Sequence, residues 1–119
     1  DNKLIALEVN MRPPGGLTTD MFNFACDINI YDLWAEVLDK GTLPFKFERK
    51  YHCCYVSRKF NKQYTYSHDE VLSRMNGNLV HHERINSVFG RALGDYGYLV
   101  RSSELNKVIE AANLIQQKA

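Results

Sequence analysis

Residues 4–16 constrain the possible folds of this chain more than any other stretch, because an apolar run there ends in three polar side chains of different chemistry. Residues 4–9 are apolar at nearly every position, which is typical of a strand buried on both faces. Side chains alternate along a strand, so Glu8 and Asn10 would point the same way with their Cα atoms roughly 7 Å apart. A carboxylate and an amide carbonyl are ligands that Mg²⁺ accepts, and Arg12 continues the alternation as a cation suited to phosphate or carboxylate. The stretch therefore predicts a metal site next to an anion site.

A Pro-Pro-Gly-Gly turn at residues 13–16 follows directly, and Thr18 or Thr19 can cap the helix that comes next. The backbone of Gly15 and Gly16 can approach an anion closely, and a helix N-terminus favours negative charge. We therefore expect both glycines to contribute to phosphate or substrate binding. A tight turn that only joins a strand to a helix explains the pair equally well, and both interpretations stay open.

The run from Glu8 to Arg12 resembles the E-x-N-x-R segment on a late core strand of ATP-grasp enzymes. These are ATP-dependent carboxylate ligases, and they include biotin carboxylase and the large subunit of carbamoyl-phosphate synthase. The resemblance implies that Glu8 and Asn10 are metal ligands that hold Mg²⁺ on the phosphates of ATP. It also implies that Arg12 is a catalytic residue that meets an acyl-phosphate intermediate or its carboxylate precursor.

The residues after Arg12 differ from those of biotin carboxylase, in which glutamine, valine, glutamate and histidine follow the arginine and the glutamate acts as base on bicarbonate. Residues 13–16 contain no such base. Biotin or bicarbonate chemistry is therefore not expected. A ligase that joins a small carboxylic acid to an amine fits the sequence better.

The first strand also bears on the extent of the protein. A strand buried on both faces needs a hydrogen-bonding neighbour on each edge, and no residues before Asp1 supply one. In the ATP-grasp family, the lysines that grip the nucleotide and the first acidic metal ligand lie upstream of the E-x-N strand. We therefore expect the C-terminal portion of a longer ligase, inactive by itself, whose partner is the upstream half of the same protein.

Composition is that of an ordinary globular domain, with 119 residues, 45% hydrophobic and 24% charged. The net charge of +1 indicates no bulk attraction to nucleic acid or membrane, and no apolar run approaches the length of a membrane span. Three cysteines, two of them adjacent, do not make a disulfide framework. They indicate free thiols in a reducing compartment, and we expect a cytoplasmic protein.

Charge is distributed unevenly along the chain. Residues 1–44 contain three basic and seven acidic side chains, residues 45–62 contain six and one, and residues 63–119 contain six of each. A second hypothesis is therefore a non-catalytic binding or assembly module that contacts nucleic acid or anions through the basic 45–62 segment. Against nucleic acid, the alternation in this segment sends most aromatic side chains to the face opposite the lysines. The sequence leaves a homo-oligomer open.

In the first unit, residues 1–44, we expect the buried strand and two helices. Asn29 can cap the second helix, and Gly41 can end it. Its buried stripe is predicted to contain Ile30, Leu33, Trp34, Val37 and Leu38.

In the second unit, residues 45–119, we expect a small antiparallel sheet covered by a C-terminal helix, which makes the whole chain an α+β protein. Strands are predicted at 45–56, 63–66, 78–86, 87–93 and 96–101, the last two joined through Gly94 and Asp95. Ser67 and Glu70 form the S-x-x-E pattern of a capping box. Ser102 or Ser103 can cap the last helix, whose predicted stripe is Leu105, Val108, Ile109, Ala112 and Ile115.

A zinc site and a Cys–His hydrolase both have weak support in the sequence. His81 and His82, like Cys53 and Cys54, are adjacent, and adjacent strand residues point to opposite faces, so neither pair can close on one zinc ion. His52 could share a face with Cys54, but a zinc site there would need two more ligands from elsewhere in the chain. A Cys–His hydrolase lacks a recognisable third group.

Overall fold

The chain folds as an α+β protein with a three-stranded antiparallel sheet. The computed structural model describes residues 4–10, 12–42, 46–75 and 77–119. The last of the sheet's three strands in the sequence is the central one. Within the described residues the elements are α1 (Thr18–Cys26), α2 (Ile30–Lys40), β1 (His52–Arg58), α3 (His68–Arg74), β2 (Leu79–Arg84), a 3₁₀ turn (Ser87–Phe89), α4 (Gly90–Leu93), β3 (Tyr96–Ser102) and α5 (Leu105–Gln116).

Strand β3 pairs with both of its neighbours. Cys54 lies opposite Val100 on the β1 side, and His82 lies opposite Tyr98 on the β2 side. The β2 register shifts between Leu79 and His81, which marks a bulge. Because β3 has a neighbour on each edge, its middle residues are the most deeply buried part of the sheet.

One face of the sheet forms the main core with α3 and α5. Tyr98 and Val100 from β3 pack there with Val56 from β1. The buried helical side chains of this core are Val71, Val108, Ala111 and Ile115, with Met75 at the end of α3. Removing this apolar surface from water is the main favourable contribution to the fold.

Helix α1 covers part of the opposite face. Ala25 and Cys26 are buried there, and strand alternation turns Leu99 toward the same side. The Ala25 carbonyl accepts hydrogen bonds of 2.9 Å from the backbone N–H groups of Lys50 and Tyr51. These bonds hold the chain that leads into β1 against the end of α1.

The predicted caps of α2 and α3 are confirmed, whereas the serine cap predicted for α5 does not form, because Glu104 is its N-cap residue. The Asn29 side chain accepts a hydrogen bond from the Tyr31 N–H at the start of α2, and Gly41 ends α2 in the left-handed conformation. Ser67 and Glu70 form a complete capping box at α3. The stripe of α2 was predicted to be buried, but no residue of that helix, Trp34 included, is fully buried.

The predicted buried strand at residues 4–9 is wrong. Residues 4–10 belong to no strand, and Leu4, Ile5, Leu7 and Val9 are all exposed. A buried strand requires ladder partners and covering layers, and the described residues supply neither to this segment.

The predicted strand at 45–56 is shifted toward the C-terminus, to His52–Arg58. Residues 43–45, including the predicted boundary at 44, lie outside the described residues. The N–H groups at 50 and 51 bond to α1, so pairing with β3 begins only after them.

Two other strand predictions are wrong. At 63–66 only Tyr64 pairs within the described residues, in a single bridge with Lys118 near the C-terminus. Residues 87–93 form the 3₁₀ turn and α4. The Asn86 side chain accepts a hydrogen bond from the Val88 N–H and starts this helical turn.

The C-terminal helix packs across β1 and β3 as predicted, but with a different buried line. Val108, Ala111 and Ile115 are buried, whereas Leu105 and Ile109 are about half exposed. The sheet therefore covers only one flank of the broad apolar stripe. Among the described residues no helix has the length and apolar character needed to cross a membrane.

Candidate functional site

The three polar residues of the opening motif lie together in sequence on an exposed segment. Glu8, Asn10 and Arg12 are all exposed, and Met11 between the last two lies outside the described residues. Within the part of the chain that the structure describes, no hydrogen bond or ion pair involves these three side chains. In particular, Glu8 and Arg12 do not form the structural ion pair that a purely structural role would favour.

The turn after the motif is anchored to the body of the fold. The Thr19 hydroxyl is buried and donates a hydrogen bond of 3.0 Å to the Pro14 carbonyl. Gly16 has a φ of 66°, and a Cβ added there would lie 3.4 Å from the Leu93 side chain. Gly15 by contrast faces open space. The turn is therefore held to α1 through Pro14, and Gly16 lies near the Leu93 side chain at the end of α4.

The predicted threonine cap of α1 does not form. Leu17 is the N-cap residue, and no side chain accepts a hydrogen bond from the first turn. Thr19 points back to Pro14 instead. The N–H groups at the start of α1, next to Gly15 and Gly16, therefore lack a side-chain acceptor.

Gly15 and Gly16 line a small cavity of about 290 Å³. Its wall is mainly apolar, but it also contains the Glu83 carboxylate and Tyr55. The Tyr55 hydroxyl donates a hydrogen bond of 2.6 Å to the Leu93 carbonyl. Burial, followed by the nearby Glu83 charge, raises the pKa of Tyr55. A phosphate inside this cavity would meet a carboxylate, so the solvent side of Gly15 is the better place for an anion.

A larger apolar groove of about 570 Å³ runs between α1 and α5 beside β1. Sequence reasoning did not find it. Cys26, Cys53 and Cys54, the three thiols of the chain, all line it and are free. The exposed flank of α5 was the available signal, since Leu105 and Ile109 are four residues apart and lie on one face of a helix.

Two of the groove thiols, Cys53 and Cys54, are held in the neutral form. Burial, together with the neighbouring Cys54, raises the pKa of Cys53 to about 11. Burial also raises the pKa of Cys54. A raised pKa keeps the thiol neutral at physiological pH, so these groups act as small apolar side chains.

The basic 45–62 segment does not present a continuous charged face. Lys50 lies 3.6 Å from the Asp27 carboxylate, and Lys59 donates to the Arg91 carbonyl. Arg58 is buried and donates hydrogen bonds to the carbonyls of Ile115 and Tyr66. Three of the six cations of the segment therefore have intramolecular roles.

A cluster of aromatic rings and histidines lies on the sheet, and the sequence did not indicate it. His68 Nδ1 is 2.9 Å from the Tyr98 hydroxyl, and His82 Nδ1 is 2.7 Å from the Tyr96 hydroxyl. Burial raises the pKa of Tyr98. Within the described ranges, no group of three or more histidine, cysteine or acidic side chains is placed to hold a metal ion.

Comparison with known proteins adds no relative. No protein-family model, curated protein sequence or solved structure gives a match to this chain.

Proposed function

We propose that these residues are the C-terminal part of an ATP-grasp ligase, an enzyme that activates a small carboxylic acid with ATP and transfers it to an amine. The observation that carries the proposal is the set formed by Glu8, Asn10 and Arg12, which have the residue types and spacing of the E-x-N-x-R segment. These side chains are exposed and form no hydrogen bond or ion pair within the described structure, so they are available to ligands.

The exposure of the segment that bears the motif is a second support. Leu4, Ile5, Leu7 and Val9 lie in water, which is unfavourable by about 25 cal/mol for each Å² of apolar surface. Such a segment is well suited to become a strand of a sheet formed by other residues. We place those residues in the upstream half of the same protein, together with the groups that grip ATP.

The donor set fits the metal of this family. A carboxylate and an amide oxygen are hard ligands of the kind that Mg²⁺ takes. In the mechanism, Glu8 and Asn10 would hold Mg²⁺, which neutralises negative charge on the ATP phosphates while the phosphoryl group is transferred. Arg12 would bind the carboxylate substrate and then the acyl phosphate, and it would orient both for attack by the amine.

The turn that follows would support anion binding. Gly15 leaves its backbone accessible, and the first N–H groups of α1 have no side-chain cap. Both features favour an anion beside Arg12. The bond from Thr19 to Pro14 would keep this turn in position.

The fold and the cellular compartment can be interpreted in the same way. The three-stranded sheet with α5 would be the C-terminal element that follows the E-x-N strand in ATP-grasp enzymes. The three free thiols fit a cytoplasmic protein.

The test is magnesium-dependent ADP formation by the full-length protein that contains these residues. Glu8→Gln and Asn10→Ala should each reduce the rate at least tenfold, because each removes a ligand of the metal. Asp39→Asn, on the exposed side of α2, is the matched control and should leave the rate unchanged. Normal turnover in both motif variants would contradict the assignment.

The 119 residues alone provide a second test. They should not hydrolyse ATP, because the proposed nucleotide-binding half is not among them. Robust ATP hydrolysis by this purified chain would show that it does not depend on an upstream half.

The alternative hypothesis of a binding or assembly module has no comparable support. It depends on the basic 45–62 segment, and three of the six cations there have intramolecular roles.

A further inference from the structure

The groove between α1 and α5 is an apolar surface without a cover in the described structure. It lies at β1, an edge strand of the sheet, and its volume of about 570 Å³ is within the range of small-molecule pockets. Phe22 from α1 is 47% exposed, and Leu105 and Ile109 from α5 are 51% and 47% exposed. Large apolar side chains that converge in this way mark a binding surface more often than isolated exposed residues do.

The deeper wall of the groove carries no charge. Cys53 and Cys54 are neutral thiols because burial raises the pKa of both. Val108 and Ala112 continue the same wall from α5. A flexible alkyl chain would gain about 0.8 kcal/mol for each methylene that it buries on such a surface.

The polar groups of the groove are positive or neutral. Arg49 and His52 lie at the β1 side, and Asn113 lies on α5. Among the described residues, none of those that line the groove is acidic. Arg49 is exposed, and no ion pair or hydrogen bond joins its guanidinium to another residue in the part of the chain described.

We propose that this groove binds an alkyl monocarboxylate of medium chain length, with the alkyl chain between α1 and α5 and the carboxylate on Arg49. A guanidinium matches a carboxylate in shape and charge, and it can donate two parallel hydrogen bonds. The apolar wall explains why the ligand needs an alkyl chain, and the lack of an acidic lining residue explains why its head group is an anion. This site is independent of Glu8, Asn10 and Arg12.

Calorimetric titration of the purified 119-residue chain tests the proposal. The probes are decanoate, decanol and decylammonium, used below the concentrations at which they form micelles. Decanoate should bind most tightly, because only its head group is complementary to Arg49. Absence of decanoate binding, or equal affinity for decylammonium, would overturn the proposal.

Variants then separate the head-group contact from the apolar contact. Arg49→Gln should weaken decanoate about tenfold and leave decanol unchanged, since a charge-assisted hydrogen bond is lost. Ile109→Gln should weaken both probes. Both side chains are exposed, and an amide proton NMR spectrum will verify that each variant remains folded.

Matched controls lie outside the groove. Lys62→Gln removes an exposed cation, and Leu38→Gln removes an exposed apolar side chain from α2. Neither should change the affinity for decanoate, and decanoate should shift the amide signals of Leu105 and Ile109. If Arg49→Gln and Lys62→Gln lose the same affinity for decanoate, the binding is nonspecific charge attraction and the proposed site is refuted.

Discussion

The Arg101 guanidinium on β3 donates a hydrogen bond of 2.7 Å to the carboxylate of Asp27. Asp27 is the residue that ends α1, and its backbone is in the left-handed conformation. The same Arg101 nitrogen also donates to the Phe24 carbonyl at 2.9 Å. Together these bonds tie the C-terminal end of α1 to the central strand. The hydrogen bond from Arg101, and then its charge and that of Lys50, hold the pKa of Asp27 below its ordinary value, although partial burial opposes them.

This ion pair predicts a pH-dependent stability. A depressed folded pKa means that the Asp27 contribution is complete above the ordinary aspartate pKa of about 3.9 and is lost as the pH falls through the folded pKa. Asp27→Asn keeps a residue that tolerates the positive φ but removes the charge. The difference in unfolding free energy between wild type and Asp27→Asn, measured in urea, should therefore shrink from pH 7 to pH 2. Asp39→Asn, which disrupts no ion pair in the described structure, should show no such trend.

The bond from Thr19 to Pro14 predicts a local loss of stability. Thr19→Val keeps the shape of the side chain and removes the hydroxyl, so the Pro14 carbonyl loses its donor. The free energy of unfolding should fall by about 1 kcal/mol. Thr18→Val is the control, because Thr18 is exposed and should change stability little. Equal effects of the two substitutions would show that the hydroxyl of Thr19 does not anchor the turn.

Two glycines with nearly the same φ angle differ in what a side chain would meet. Gly77 and Gly94 have φ angles of 82° and 83°, but a Cβ would meet nothing within 4 Å at Gly77 and would lie 2.7 Å from Ser57 at Gly94. Gly77→Ala should cost about 1 kcal/mol, the penalty of positive φ alone. Gly94→Ala should cost a further ~1–3 kcal/mol, because the ψ of −175° at Gly94 suits only glycine and because Ser57 and the backbone beside it must move. Thermal unfolding of both variants measures the difference.

The rate at which Cys53 is alkylated should reflect the burial of the groove wall. With its pKa raised to about 11, Cys53 has roughly a hundredfold less thiolate at neutral pH than a thiol of ordinary pKa. Alkylation of Cys53 by iodoacetamide in the folded chain should therefore be slow and should speed up as the pH rises toward 11. In denaturant all three cysteines should react at similar rates. Rapid labelling of Cys53 in the folded protein at pH 7 would contradict the placement.

Sequence patterns predicted the elements whose cause is local. Asn29 and the Ser67–Glu70 capping box act within a few residues, so the starts of α2 and α3 could be located without knowledge of the rest of the fold. The same applies to β3, where apolar and aromatic residues follow the Gly94 turn. The strand predicted at residues 87–93 was wrong. An apolar run resembles a strand, but the Asn86 side chain starts a helical turn there.

The candidate sites divide in the same way. Glu8, Asn10 and Arg12 could be singled out from their residue types and spacing, and their role stays a prediction. The groove could not be predicted, because it depends on which flank of α5 the sheet covers. A broad stripe on a helix identifies a face that can be buried, but it does not say how much of that face will find a neighbour.

By itself the sequence determined the caps of α2 and α3, the α+β class and the order of side chains in the E-x-N-x-R run, since all of these follow from propensity and short-range spacing. Tertiary structure decided that β3 lies between β1 and β2, that residues 4–10 are exposed, and that Leu105 and Ile109 line a groove with the three thiols. The physical reason is that burial and strand pairing are properties of two surfaces that meet. The pattern of one segment specifies only one of those surfaces.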